Sequence, residues 1–193
     1  MARLVPALVV AALLAAGCAS SPTAGAPEDL INPRLGPEHA QWLVGPVAVL
    51  ATGEEIERYL ALGSDAAAAE FIEQFWAGRN PYPNRPDNPL RETFEQRAAE
   101  ADRRYSEGGL RGRRTDRGTI YVLFGEPTRQ DRDISPTPGD PPLELWFYDQ
   151  AEAGLGGERP QGVYRFVKRG DVTTFYRPRS LDDPRVREPF PYR

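Results

Sequence analysis

The chain contains a single cysteine, Cys18, which directly follows a short apolar segment. Arg3 precedes the apolar residues 4–14, and the small residues 15–17 come immediately before the cysteine. A positive residue, a short apolar stretch and a small-residue site are the three parts of an export signal. An apolar stretch of this length is too short to cross a bilayer core, which takes roughly 20 residues. Because one thiol cannot form an internal disulfide, the fold is expected to hold without one.

Small residues directly before a cysteine resemble a lipobox, in which the thiol is acylated and the cysteine becomes the mature N-terminus. The ideal lipobox has Leu three residues before the cysteine, whereas this chain has Ala15 there and Leu14 one step earlier. The alternative is an ordinary signal peptide with an unrelated cysteine after it. We expect lipidation of Cys18, because small residues directly precede the only cysteine. The resulting diacyl-plus-amide anchor would hold the protein stably at a membrane. By analogy with lipoprotein sorting, Ala19 favours the periplasmic face of the outer membrane within the cell envelope.

These features divide the chain into four predicted parts. Residues 1–17 are the signal peptide, and residues 18–40, rich in Ala, Ser, Pro and Gly, form a flexible tether. Residues 41–178 form the folded domain. Residues 179–193 contain three prolines and little periodicity, which predicts an extended C-terminal tail.

The composition argues against several classes of function. The net charge is −4, whereas a nucleic-acid-binding domain is expected to be basic. One histidine, His39, and one cysteine cannot form a zinc or copper site. The chain also lacks a GxSxG motif, and His39 in the tether is not expected to reach a pocket. We therefore predict no catalytic residue, no cofactor and no metal, although a pair of carboxylates for hydrolysis is left open.

Three helices are predicted before residue 109. Thr52 and Glu55 form a capping box, which opens a helix through residue 62. Asp65 is expected to cap a second helix to about residue 76, where large apolar residues recur at helical spacing. Asn88 before Pro89 opens the third, which glycines 108–109 end. The apolar run 47–50 fits either a strand or a buried helix.

After Gly118 the apolar residues alternate with a period of two. This pattern predicts strands at residues 119–124, 143–148, 162–168 and 172–176. Residues 169–171 are short enough for a tight hairpin, and the proline-containing stretch 126–142 is the longest predicted loop. Helices followed by strands predict an α+β fold, with N-terminal helices packed on a small antiparallel β-sheet.

Four motifs follow one another within residues 55–148: FIEQFWAGRNP, NPLRETFEQR, GRRTDRGTIYVLFGEP and LELWFY. In this order they resemble the GWxTD domain, which occurs in exported proteins of Gram-negative bacteria. Two positions depart from the family pattern: Arg113 replaces the Trp of the family's name, and Asn80 replaces a usual Asp. The resemblance implies the fold and an exported location, but no reaction. The matching positions are Phe75, Trp76, Arg79, Pro81, Asn88, Arg91, Phe94, Gly112, Thr115, Asp116, Arg117, Gly118, Tyr121, Gly125, Pro127, Trp146 and Tyr148.

Asp116 has two interpretations. It is either a ligand-binding or catalytic carboxylate surrounded by arginines 113, 114 and 117, or part of a structural turn. In the second, Thr115 and Asp116 accept backbone N–H bonds in an Asx or ST turn and Gly118 supplies permissive geometry. Asp116 would then also pair with Arg79 or Arg91, since guanidinium and carboxylate favour two-point contact. We favour the structural interpretation.

Gly125 and Pro127 flank a glutamate after a predicted strand, and this tripeptide lacks the spacing and the Lys of a phosphate loop. It is predicted to be a turn. Trp146, Tyr148 and Tyr121 either pack in the core or form an aromatic platform for glycan or peptide. Packing in the core is favoured for these three residues and for Trp76, which belongs to a helical apolar stripe.

These features together predict a membrane-anchored envelope lipoprotein with a non-enzymatic protein-binding or structural domain. The expected partners are membrane lipid, through acylated Cys18, and another envelope protein. One alternative is a module that binds cell-wall glycan or peptide through exposed aromatics. A second is a carboxylate-dependent hydrolase.

Overall fold

The computed structural model describes residues 27–136, 139–149 and 151–177. Cys18, the predicted signal peptide and the predicted C-terminal tail lie outside these residues. Within them, no helix combines the length and the apolar character needed to cross a membrane.

Five α-helices precede the sheet in the described chain. They are α1 (Pro46–Leu50), α2 (Gly53–Leu60), α3 (Asp65–Ala77), α4 (Pro89–Tyr105) and α5 (Asp116–Phe124), with a 3₁₀ turn at Gly112–Arg114. Thr52 caps α2 with the predicted capping box, because its hydroxyl accepts from the backbone N–H of Glu55 while the Glu55 carboxylate accepts from the backbone N–H of Thr52. The cap of α3 is Ser64 rather than the predicted Asp65, and Asn88 caps α4 as predicted.

Four strands form one antiparallel sheet in the described chain. They are β1 (Arg129–Asp133), β2 (Leu143–Phe147), β3 (Val163–Arg169) and β4 (Val172–Phe175). Their order in the sheet is β1-β2-β3-β4, and each strand pairs with the next along the chain, so the sheet is a simple meander. A turn through Gly170, which has a φ of 60°, joins β3 to β4 as the predicted hairpin.

Two secondary-structure predictions are wrong. Residues 119–124 belong to α5 and not to a strand, and five of the nine residues of that helix are buried. A helix that is apolar on most sides shows no helical period, so alternating apolar residues were mistaken for a strand. The predicted loop 126–142 contains β1, which was missed because all five of its residues are charged or polar and exposed.

The helices pack on one face of the sheet, as the α+β prediction requires. Trp76, Phe94, Ile120, Trp146 and Phe166 share this core, and each is at most 5% exposed. A smaller apolar cluster of Leu143, Val167 and Tyr176 lies apart from it. Leu143 pairs with Val167 and precedes the core residue Trp146 by an odd number of positions, which places this cluster on the opposite sheet face.

The folded part begins before residue 41, so the predicted tether over residues 18–40 is wrong for its described portion. Leu30, Asn32 and Leu35 are buried, and the Asn32 amide donates to the carbonyl oxygens of Tyr59 and Leu62, each at 3.0 Å. Asn32 thereby donates to carbonyl oxygens at the C-terminal end of α2 and just beyond it. A Pro- and Gly-rich composition concealed these few anchoring side chains.

Candidate functional site

Arg79 holds the end of α3 against the start of α2. Its guanidinium forms a two-point ion pair with Glu55, at 2.8 and 2.6 Å, and also donates to the carbonyl oxygens of Leu50 and Phe75. It lies 3.6 Å from the Phe75 ring centroid. The hydrogen bonds from Arg79 lower the pKa of Glu55 below its ordinary value. Arg79 therefore joins α1, α2 and α3, and its partner is Glu55 rather than the predicted Asp116.

Asn88 and Arg91 connect α3 to α4. The Asn88 amide donates to the carbonyl oxygen of Trp76 at 2.7 Å while its oxygen caps α4. Arg91 forms a two-point pair with Glu73 on α3 and a third contact with Glu95 on its own helix. The structure thus places neither Arg79 nor Arg91 at Asp116, and this predicted pairing is wrong.

Gly112 and Gly118 allow three backbone segments to touch. A Cβ on Gly112 would lie 1.8 Å from the carbonyl oxygen of Ala101 in α4, and a Cβ on Gly118 would lie 1.7 Å from the carbonyl oxygen of Gly112. Neither glycine has a positive φ. Their requirement is therefore close approach, not the turn geometry predicted for Gly118.

Thr115 caps the start of α5, as the structural interpretation predicts, whereas the Asp116 carboxylate binds a distant strand rather than the predicted local turn. The Thr115 hydroxyl accepts from Gly118 N–H and donates to the carbonyl oxygen of Gly112, so Thr115 caps the helix. Asp116 accepts the backbone N–H of Phe175 on β4 at 2.6 Å. Burial raises the pKa of Asp116 above its ordinary value. Its bond ties α5 to the last strand, 59 residues later in the chain.

Arg117 bridges two glutamates beneath the sheet. It donates to Glu107 at 2.7 Å and to Glu144 on β2 at 3.1 Å. Glu107 in turn accepts both the N–H and the hydroxyl of Thr173 on β4, and Glu144 accepts the indole N–H of Trp146 at 2.6 Å. The carboxylates of this network hold strands in place.

The remaining predicted positions also belong to the scaffold. Gly125, with a φ of 81°, ends α5, and its carbonyl oxygen accepts the Tyr148 hydroxyl, so the turn prediction for Gly125 and Pro127 is confirmed. Trp146 and Tyr148 are 0% and 3% exposed, which confirms that they pack in the core. Tyr121 lies on α5 and not on the sheet, so these aromatics form no platform for a glycan.

An open cleft lies beside these structural residues. It has a volume of about 540 Å³ and lies between residues 38–47, α3, the start of α4 and the 3₁₀ turn. Trp42, Val44 and Ile72 are partly buried apolar side chains of its lining. His39 also lines it, contrary to the prediction, and its Nδ1 lies 3.1 Å from an Asp65 carboxylate oxygen.

Arginines are concentrated at the 3₁₀ turn, where Arg111, Arg113 and Arg114 all line the cleft. Arg113 is bound to Asp102, which accepts its backbone N–H at 2.8 Å and its guanidinium at 2.8 and 2.9 Å. Arg114 donates to the Gln41 side chain. Burial lowers the pKa of Arg114, and its two arginine neighbours lower it further.

No local sequence pattern identifies Glu55, Asp102, Glu107 and Glu144 as the partner carboxylates, and none identifies the cleft. The capping box is the only role predicted for Glu55, and Asp116 is the only partner predicted for Arg79, although an arginine at the end of the next helix was a signal for a second role of Glu55. Trp42, at the edge of a predicted tether, was the available signal for the cleft, because a large aromatic seldom occurs in a solvated linker.

The described residues contain no group of His, Cys, Asp and Glu side chains able to hold a metal ion. Comparison with curated proteins and with solved structures finds no match. The family model of the GWxTD domain matches residues 33–170, which cover all five helices and most of the sheet. The chain therefore belongs to the GWxTD domain family.

Proposed function

We propose that this chain is an envelope lipoprotein anchored through Cys18, whose GWxTD domain binds another envelope protein without performing a reaction. The observation that carries the proposal is the contrast between the motif residues and the cleft. Thr115, Asp116 and Arg117 form their hydrogen bonds with other residues of the fold. The cleft, by contrast, is lined by apolar and charged side chains that a partner can contact. A concave surface with few oriented polar groups is typical of a binding site.

The carboxylates of the cleft support binding more than hydrolysis. Glu73 and Glu95 line it, and both are ion-paired with Arg91. The hydrogen bonds from Arg91 lower the pKa of Glu73. A hydrolase of the two-carboxylate type needs a general acid whose pKa is raised. The pKa of Glu73 is shifted in the opposite direction, downwards.

The anchor is tested by replacing the thiol. Cys18→Ser should abolish incorporation of an alkyne-labelled fatty acid and move the protein from the membrane to the soluble fraction, because serine cannot accept the thioether-linked lipid. Ser20→Ala is the matched control and should behave as the natural sequence. Fatty-acid labelling of the Cys18→Ser protein would contradict the proposal.

The partner is tested by a photo-crosslinker placed in the cleft of the otherwise natural chain. Glu70 lines the cleft and is exposed, so p-benzoylphenylalanine in its place should give a discrete adduct in envelope membranes. Ile134, which is 84% exposed beyond the end of β1, is the control position and should not give that adduct. The same adducts from both positions, or none from Glu70, would count against a binding cleft.

A further inference from the structure

We infer that the cleft binds an acidic segment of its partner polypeptide, whose carboxylates pair with Arg111 and Arg114. This inference rests on the proposed partner-binding function and names the chemistry of the partner. Such a segment also carries an apolar side chain, which contacts Trp42 and its neighbours in the cleft.

The positive charge at the 3₁₀ turn exceeds the negative charge supplied to it. Arg113 is satisfied by Asp102 through its backbone N–H and its guanidinium. In the described part of the chain, no carboxylate oxygen lies within 4.0 Å of a guanidinium nitrogen of Arg111 or Arg114, so neither arginine forms an ion pair there. The Arg111 guanidinium, and the donors of Arg114 that do not bind Gln41, therefore remain available to an external anion.

The setting of Arg114 strengthens this conclusion. Its side chain is only partly exposed, and Asp102, already bound to Arg113, is the one carboxylate whose charge favours the protonated form of Arg114. Neighbouring like charges in a partly desolvated place repel each other, and an anion between them removes that repulsion. The planar guanidinium suits carboxylate because it donates two parallel hydrogen bonds.

The other wall of the cleft limits where an acid can bind. Glu38 and Glu70 line it and are exposed, while Glu73 and Glu95 share the single positive charge of Arg91, which leaves this wall with a net negative charge. An acidic ligand is therefore directed to the arginine end. Partly buried Trp42, Val44 and Ile72 provide the apolar contact area for the residue beside that acid.

The test uses a short fluorescein-labelled peptide with glutamates on both sides of a leucine, and the same peptide with glutamine at each glutamate. Fluorescence anisotropy should show binding of the first by the full chain and much weaker binding of the second. Added salt should weaken the interaction, because it screens partly exposed charges. The double variant Arg111→Gln, Arg114→Gln should bind about tenfold more weakly, which corresponds to about 1.4 kcal/mol.

The matched control is Arg132→Gln with Lys168→Gln, which removes the same charge from exposed positions on the sheet. It should leave peptide affinity unchanged. The melting temperature of the cleft variant separates binding from folding. It should stay near that of the natural chain, since the variant loses like-charge repulsion and one side-chain hydrogen bond, from Arg114 to Gln41. Equal affinity of the cleft and control variants would overturn the inference.

Further outcomes identify other occupants. Binding that appears only after Asp182→Asn with Asp183→Asn would mean that the chain's own C-terminal residues occupy the cleft, and would overturn the inference. If the chain binds phosphatidylglycerol vesicles through these arginines but does not bind the peptide, the occupant of the cleft is lipid and the inference is overturned. If the double variant Arg111→Gln, Arg114→Gln still gives the photo-crosslinked adduct from position 70 at full yield, the chain has a partner. That result would exclude binding of the partner through acidic residues and would overturn the inference.

Discussion

Replacing Gly118 by alanine is expected to destabilise this fold strongly, although it adds only one methyl group. The added Cβ would lie 1.7 Å from the carbonyl oxygen and 2.6 Å from the carbonyl carbon of Gly112. Ordinary contact begins at 3.4 Å, so the overlap with the oxygen is 3.4 − 1.7 = 1.7 Å. Both atoms belong to backbone, and no side chain can rotate to relieve the clash. The whole start of α5 must therefore move away from the 3₁₀ turn.

Two opposing effects determine the magnitude. Overpacking in a tight interior costs about 1–3 kcal/mol and sometimes more, and a backbone overlap of this size belongs at the upper end. Alanine is the better helix former by about 1 kcal/mol, which offsets part of the cost. We therefore expect the free energy of unfolding to fall by about 2 kcal/mol or more. For a domain of this size that lowers the melting temperature by about 4–8 °C.

Urea unfolding followed by tryptophan fluorescence measures this loss. Trp76 and Trp146 are both buried in the core, so their emission reports unfolding of the helices and of the sheet. The midpoint should fall while the slope stays constant, because the area exposed on unfolding is nearly the same. Gly63→Ala is the control, since nothing lies within 4 Å of a Cβ there. It should change stability by less than about 0.5 kcal/mol.

A Gly118→Ala protein that unfolds at the same urea concentration as Gly63→Ala would refute the close-approach argument. It would mean that the turn and α5 separate without cost.

Two further substitutions test individual bonds. Asp116→Ala should lower the free energy of unfolding by about 1–2 kcal/mol, because the N–H of Phe175 loses its acceptor. Asp116→Asn keeps an acceptor for this N–H but cannot ionise. Since burial raises the pKa of Asp116, the natural chain should lose stability relative to this variant as pH rises through that pKa. Urea titrations at several pH values measure this difference. Arg79→Lys should cost about 1–2 kcal/mol, because one ammonium cannot match the paired donors that bind Glu55 and Leu50. Since Arg79 lowers the pKa of Glu55, this difference should shrink as pH falls through that lowered pKa and Glu55 becomes protonated.

The parts of the fold that the sequence predicted correctly are those with local signals. Thr52 and Asn88 are side chains that cap the helix they begin, and both caps were found where the sequence placed them. Strands β2, β3 and β4 alternate between a core face and an outer face, so their period was visible. Errors arose where tertiary burial removes the period. Burial on most sides concealed α5. The residues of β1 are all exposed, and β1 is defined by its pairing with β2, which leaves no apolar period.

The candidate site was less predictable because its bonds join residues that lie far apart in the chain. The Asp116 carboxylate was correctly interpreted as structural, yet its acceptor role towards Phe175 spans 59 residues and leaves no local pattern. Arg79 offers the same lesson, since its carboxylate partner lies 24 residues earlier and already had a role as a helix cap. Charge alone identified candidates for pairing, but not which carboxylate each arginine binds.

The structural role of the motif and the proposed binding role of the cleft meet at the 3₁₀ turn. Gly112 and Gly118 allow this turn to pack closely between α4 and α5, and the Thr115 hydroxyl and the Asp102 carboxylate form hydrogen bonds with its backbone. The turn therefore presents its arginines from a backbone with little freedom to move, which reduces the ordering cost of binding an anion. Gly118→Ala should consequently weaken binding of the acidic peptide together with stability, whereas loss of the arginine side chains weakens binding alone. A Gly118→Ala protein that is destabilised yet binds the peptide unchanged would separate the two roles and show that the arginines need no rigid support.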